Sequence, residues 1–427
     1  MDLLVGLLLK FLNAGLQLLI HPFYYMSLLF IVLQYRKQIQ FERKLFHTRL
    51  HSLLDESWRT LLGGWIGGLS ASILMIFVGL KLQTDVILLV WVIALLLVMI
   101  RVRYLCMAYS VGILGILHVL LLLVPNAVQW SFIGPVFQVI ASADLPSLLV
   151  IVAVLHLLEG VLTGLQGARM ASPLFMEGKR GKIIGGYQLQ GFWPVPLFLL
   201  VPMQGGHVDV IPWLTLFGTE YASGWSILAF PAMIGFTELT MSRLPREKAL
   251  WSSRMLLLYG GILFILAVAA HFWSPLILIA AFCSIALHEA LLAYSRWDEA
   301  KRIPVFVHSQ RGLMILAVVP KSPADELGLQ AGEIIHKVNG FKITNKTDLH
   351  HAMQLNSAFC KLEVVNLQGE IKFVQRALFS GEHHQLGLIL APDQHAMYYV
   401  ANKPIHLFTY LRKQITGLLT NDAGKPM

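Results

Sequence analysis

The sequence predicts an α-helical polytopic membrane domain followed by a small module of strands with two helices. Three observations predict it. Only 13% of the 427 residues are charged and 56% are hydrophobic, against about 25% charged in ordinary soluble domains. Apolar stretches close to the roughly 20 residues that cross a bilayer recur as far as Tyr294. Beyond Arg302 the apolar runs shorten to strand length and alternate with turn residues. The three cysteines, Cys106, Cys283 and Cys360, have no metal-ligand spacing, and no disulfide framework is implied. The first residues lack a basic segment and a small-residue cleavage site, so no cleaved signal peptide is expected.

Residues 3–33 are apolar but interrupted by Lys10, Asn13 and His21-Pro22. They read as one kinked span, or as an interfacial helix followed by a span. Arg36 and Lys37 follow, and then FERKLFHTRLHSLLDESWRTLL, which reads as an amphipathic helix at the membrane surface. Residues 61–80 span, with Gly63, Gly64, Gly67 and Gly68 spaced for close helix contact. Residues 86–100, 104–124 and 148–165 are further spans. Residues 192–201 are short and hold Pro194 and Pro196, which predicts a distorted span. Residues 225–241, 255–272 and 275–294 complete a count of about eight or nine by the length rule. Loops rich in Lys and Arg alternate with loops that have none, residues 125–146 and 203–224. Cytoplasmic loops carry the excess of Lys and Arg. The C-terminal module is therefore expected in the cytoplasm, provided that residues 192–201 cross.

The module centres on residues 311–340, RGLMILAVVPKSPADELGLQAGEIIHKVNG. Gly312 opens an apolar strand that ends before Pro320. Ser322 caps a short helix, Pro323 fits its first turn and Gly328 ends it. Gly332 turns into a second strand, and Asn339-Gly340 is a hairpin-type turn. Residues 303–307 read as a first strand, 345–354 as a helix, and 361–366 with 371–375 as a hairpin. The tail adds a strand-like run at 386–390 and an aromatic-basic stretch, HLFTYLRKQ, suited to membrane or partner contact.

The run from Ser322 to Gly340, S-P-A-x-x-x-G-L-x-x-G-[DE]-x-I-x-x-V-N-G, and the R-G-L entry at Arg311 resemble a PDZ domain of the bacterial kind. Glu333 stands where Asp is commoner. The resemblance covers roughly a fifth of the chain. It implies a membrane domain at 1–295, a PDZ-like domain at 303–378 and an extension at 379–427. It also implies binding of an extended peptide as an added strand, often with capture of a terminal carboxylate. The groove is expected between the strand carrying Arg311, Gly312, Leu313, Met314 and Ile315 and a helix face carrying Lys346, His350 and Met353. Arg311 favours an acidic or carboxylate-ended ligand.

A PDZ domain on a membrane protein raises the question of a protease. An intramembrane metalloprotease needs H-E-x-x-H, and here His288-Glu289 is followed by Leu292 in the place of the second His. No serine stands in a nucleophile setting ahead of the module. No enzyme activity, cofactor or metal is expected. His156 and Glu159 share a helix face inside a span, where ionisable groups are costly and often functional. A hydrogen-bonded pair fixing helix packing, a proton or metal site, and pairing of Glu159 with Arg169 all remain open. The glycine run lacks a following Lys-Ser/Thr and is a packing feature. The basic loops read as topology determinants and lipid-headgroup contacts, not nucleic-acid sites.

The whole arrangement resembles the MinJ-type division-topology proteins of Gram-positive rod-shaped bacteria. LLIHPFYY (Leu18 to Tyr25) and ERKLFHTR (Glu42 to Arg49) extend the resemblance beyond the PDZ region. It implies a multi-pass scaffold of the cell membrane, enriched at septa and poles. Such a scaffold would connect a coiled-coil marker of poles and septa to the membrane ATPase of the Min division inhibitor, with other divisome membrane proteins as further partners. The alternatives are an intramembrane protease relative with a degenerate site, and a transporter using His156 and Glu159 with a regulatory PDZ domain.

Overall fold

The computed structural model describes residues 2–178, 181–202, 214–218, 225–356, 358–377 and 386–393. Every structural statement below concerns those residues. The aromatic-basic stretch of the tail lies outside them.

Helices α1 (Asp2–Ile20) and α2 (Pro22–Phe46) meet at a bend of 58°. Pro22 starts the second helix, and the His21 side chain accepts a hydrogen bond from the Phe23 amide (3.3 Å). Helix α2 runs through the basic stretch and ends at His47, which is left-handed (φ 55°). Helix α3 (Leu53–Val78) begins six residues later. The surface helix expected across this region is therefore two helices joined by a turn. The Glu42 carboxylate makes the break: it accepts from the amides of Leu50 (2.9 Å) and His51 (3.3 Å).

Four further helices complete the apolar set before the chain turns to strands: α4 (Thr84–Ile100), α5 (Met107–Leu122), α6 (Gly134–Ser142) and α7 (Leu145–Gln166). After the strands come α8 (Pro245–Phe272) and α9 (Leu276–Lys301). Helices α3, α7, α8 and α9 are long and apolar enough to cross a bilayer, and the bent α1–α2 pair raises that number to five. Helices α4 and α5 are shorter. This corrects the count of eight or nine helical spans.

Two segments read as spans are strands. An antiparallel sheet forms from β1 (Ala171–Glu177), β2 (Ile183–Pro202) and β3 (Trp225–Thr240), in that order. For residues 192–201 length explains the correction. Ten residues make too short a helix to span, but 9–11 residues suffice as a strand, which rises about 3.3 Å per residue. The β2–β3 hairpin leaves and returns to one end of the helices. At the far end, residues 214–218 dock on α3, where the amides of Leu216 and Phe217 donate to the carbonyls of Phe77 and Val78 (both 2.9 Å).

A strand edge inside an apolar domain must be closed, because an unpaired backbone group there costs several kcal/mol. The β2 edge is closed by its own prolines and by α3. Pro194 and Pro196 carry no N–H, and their carbonyl oxygens press on Gly64 and Gly68, where a Cβ would collide with them. The next outward amide, Phe198, donates to Ser72 Oγ (2.8 Å). Gly63 and Gly67 meet Gln166 and Leu158 of α7 in the same close way. One glycine double stripe thus seats α3 on a strand and on a helix at once.

At the near end Lys248, only 1% exposed, sits between Glu238 (3.2 Å) and Glu299 (3.6 Å), tying β3, α8 and α9 together. Residues 303–307, expected as a strand, form a linker docked on the sheet instead. Gly185 N–H donates to Phe306 O and Val305 N–H to Met241 O (both 2.9 Å).

The C-terminal module contains β4 (Leu313–Val318), α10 (Pro323–Glu326), β5 (Ile334–Val338), β6 (Phe341–Lys342), α11 (Lys346–Gln354), β7 (Phe359–Val365), β8 (Ile371–Ala377) and β9 (Leu388–Leu390). The sheet order is β8-β7-β5-β4-β9, with β6 on β5. Ile315, Ile335, Val338, Leu349 and Leu362 form its core.

Gly64→Ala is expected to destabilise the protein by about 1–3 kcal/mol, because the added methyl overpacks a backbone contact. Denaturant unfolding of the protein in nanodiscs measures this, and a neutral result rules the contact out.

Candidate functional site

Both edges of β4 are taken. Leu313 and Met314 pair with Ile335 and Ile334 of β5, while Ile315, Ala317 and Val318 pair with Leu390, Ile389 and Leu388 of β9. The groove expected along Leu313, Met314 and Ile315 is corrected accordingly: β4 offers no open edge to a peptide. The strand-like run at 386–390, read as part of the tail, is what covers it. Arg311 and Gly312 lie at the β4–β5 junction. The Arg311 carbonyl accepts from His336 Nδ1 (2.8 Å), and a Cβ on Gly312 would strike the Ile335 carbonyl.

The open edge belongs to β9. Gly387 O accepts from Val319 N–H and Ala391 N–H donates to Met314 O, both at 2.8 Å and both toward β4. Strand alternation turns the backbone groups of Leu388 and Leu390 the other way. They border a cavity of about 530 Å³ whose opposite wall is α11, with Lys346, Leu349, His350 and Met353. Gly387 has φ 77°, and Ser322 fills the space its Cβ would need. At the rim Lys346 pairs with Asp393 (3.5 Å). Asn345 and Asp348 form a capping box that starts α11. The Thr344 hydroxyl, with the backbone amides beside it, holds Asp348 below the ordinary carboxylate value.

The third wall comes from the membrane domain: Leu45 and Phe46 at the end of α2, His47 and Thr48 in the α2–α3 turn, and Phe175 of β1. That turn is fixed by His51, whose Nδ1 donates to Glu42 and whose Nε2 donates to the Arg169 carbonyl (2.9 Å). Burial alone would lower the His51 pKa, but the Glu42 carboxylate and the Arg169 carbonyl outweigh it and raise it above 6.5.

Inside the helices, His156 does not form the expected pair with Glu159. Its Nδ1 donates to Val152 O (2.7 Å), and its Nε2 is 3.2 Å from Cys106 Sγ. His288 Nε2 is 3.9 Å from the same sulfur. These are the ligand atoms of the one described group that could hold a metal ion, all within 4.8 Å of one another. Glu159 is buried one turn further along α7. Glu289 accepts from Tyr109 (2.7 Å) and pairs with Arg103 (3.0 Å). Sequence spacing does not reveal the cluster, since Cys106 is 50 residues from His156 and 182 from His288.

The family model for the PDZ domain matches residues 314–365. The PDZ resemblance read from the Ser322–Gly340 run is thereby borne out. Across the chain, the cell division topological determinant MinJ of Bacillus subtilis (strain 168) is 30% identical over 385 residues, covering 89% of this chain and 94% of that protein. The probable cell division topological determinants MinJ of Lacticaseibacillus paracasei and Lacticaseibacillus casei (strain BD-II) are each 24% identical over 262 residues, 60% of this chain and 69% of theirs. No solved structure matches the chain.

The raised His51 pKa fixes the sign of a pH effect. Its stabilising contribution is complete below the unfolded value of 6.5 and disappears as pH rises through the higher folded value. Thermal stability should therefore fall over that window and the slope should flatten in Glu42→Gln. Melting curves against pH for both proteins check this.

Proposed function

Because the chain belongs to the family of MinJ cell-division topological determinants, we propose that it is a membrane-anchored scaffold of division-site selection whose β9–α11 groove takes an extended segment of a partner. The observation that carries this reading is the open β9 edge beside a cavity walled by α11. An added strand gains main-chain hydrogen bonds from the edge and side-chain specificity from the α11 wall. We take the peptide-binding unit to include β9, beyond residue 378.

The scaffold connects a coiled-coil marker of poles and septa to the membrane ATPase of the Min division inhibitor, with other divisome membrane proteins as further partners. Anchoring confines the PDZ domain to two dimensions and raises its effective concentration for partners already at the membrane. A cytoplasmic orientation is supported by charge. Arg43 and Lys44 at the end of α2, Arg243 before α8 and Lys301 at the end of α9 all stand at the PDZ end of the helices. The reading is a scaffold and not an enzyme, and it rests on Leu292 in the H-E-x-x-H position as well as on the family.

Leu388→Pro tests the groove. It deletes an amide on the open edge and leaves the bonds of Gly387 and Ala391 to β4 in place. Loss of one such bond, about 0.5–1.5 kcal/mol, weakens partner binding by roughly 3–10-fold. In cells whose native copy is replaced, the variant should reach normal membrane abundance, lose enrichment at septa and poles, and misplace division. Unchanged enrichment with normal cell length would refute the groove reading.

A further inference from the structure

We propose that Cys106, His156 and His288 form a binding site for a divalent transition-metal ion of the zinc type, which ties α5, α7 and α9 together inside the membrane domain. Three independent features of the cluster lead to this. The first is distance. A tetrahedral ion about 2.3 Å from sulfur and about 2.0–2.1 Å from nitrogen holds those two ligands roughly 3.5 Å apart. The two sulfur–nitrogen separations, 3.2 and 3.9 Å, bracket that value.

The second is the tautomer of each ring. Val152 O can only accept, so His156 carries its proton on Nδ1 and presents a bare Nε2 lone pair to Cys106. The Tyr109 hydroxyl gives its one hydrogen to Glu289, which also faces Arg103. Tyr109 is therefore the acceptor for His288 Nδ1 (3.1 Å), and His288 likewise presents a bare Nε2. The chain His288–Tyr109–Glu289 is the outer-shell arrangement that orients imidazole ligands and raises their basicity.

The third is proton arithmetic. Two Nε2 acceptors face one thiol, and a single S–H satisfies one of them. His156 is 3% exposed, so an unmet acceptor here is costly. A cation accepts all three lone pairs. On binding, the Cys106 thiol releases its proton to solvent, three dative bonds form, and no atom changes oxidation state. A thiolate with two imidazoles suits zinc-type ions and not magnesium or calcium. Three protein ligands leave the fourth position open.

The site also explains a local oddity. Helices α4 and α5 are short, and Cys106 stands at the break between them, against the middle of α7. An ion there fixes the break to two long helices.

The test uses the full chain in nanodiscs, purified without a polyhistidine tag, stripped with a chelator and titrated with Co²⁺ and then Zn²⁺. Cys283→Ser and Cys360→Ala leave Cys106 as the one thiol. In that background the expected result is one cobalt per chain, with a thiolate-to-cobalt charge-transfer band that zinc displaces. Adding Cys106→Ser should abolish the band and lower affinity at least tenfold. Tyr109→Phe should keep the band and weaken binding about 10-fold through the outer shell. The His118→Gln control, on α5 with its Nδ1 donating to the Ile140 carbonyl (2.8 Å) and outside the cluster, should change neither. Absence of the band in the single-thiol background overturns the proposal, whether or not the other variants accumulate. So does a cobalt affinity that Cys106→Ser leaves unchanged.

Discussion

The structure depends on closing one strand edge. Strand β2 is 20 residues long; β1 pairs with its first part, and α3 lies against Pro194, Pro196 and Phe198 on the edge that β1 leaves uncovered. Ordinary residues would leave a row of amides unpaired. Proline removes the donor at Pro194 and Pro196, Ser72 supplies an acceptor at Phe198, and glycine lets the remaining carbonyls approach the helix axis. Each device is weak alone. Together they turn an edge, ordinarily a site of aggregation, into an interior contact.

What that sheet holds in place is the PDZ domain. The Tyr187 hydroxyl donates to the Leu316 carbonyl, and Gly185 holds Phe306 of the linker. Leu316, Ala317, Ile389 and Ala391 belong to the same buried cluster as Tyr187, Leu189 and Trp193. The PDZ domain and the membrane domain therefore share a core rather than meeting across a flexible tether. Lys248, held by Glu238 and Glu299, locks the same corner electrostatically. Removing one member would leave the others charged and buried, the costly way to break such a group.

This division of labour explains what the sequence could tell. The long apolar helices, the bend at His21-Pro22 and the PDZ turns at Ser322, Gly332 and Asn339-Gly340 follow from local chemistry, and each is legible in a short window. Strands β2 and β3 are not. Their apolar runs match buried helix and buried strand equally, and prolines that read as a damaged helix are edge protection in a strand. The groove was half legible. Lys346, His350 and Met353 share a helical face and line the cavity. The opposing strand lies after β8, beyond the expected domain end, and pairs with β4 through a register no local signal encodes. The cluster of Cys106, His156 and His288 was invisible because it requires three helices to be placed first.

The shared core also constrains what the groove can read. A peptide added to β9 meets α11 on one side and the α2–α3 turn with Phe175 on the other. The turn is positioned by Glu42 and His51, which reach to Ser172 and Arg169 at the start of the sheet. The ligand's surroundings are thus set by two domains at once. A partner that displaces the turn acts on the same sheet that α3 closes, and a change in helix packing alters the groove wall. Among the described residues, the cavity wall and the helices are coupled through direct packing.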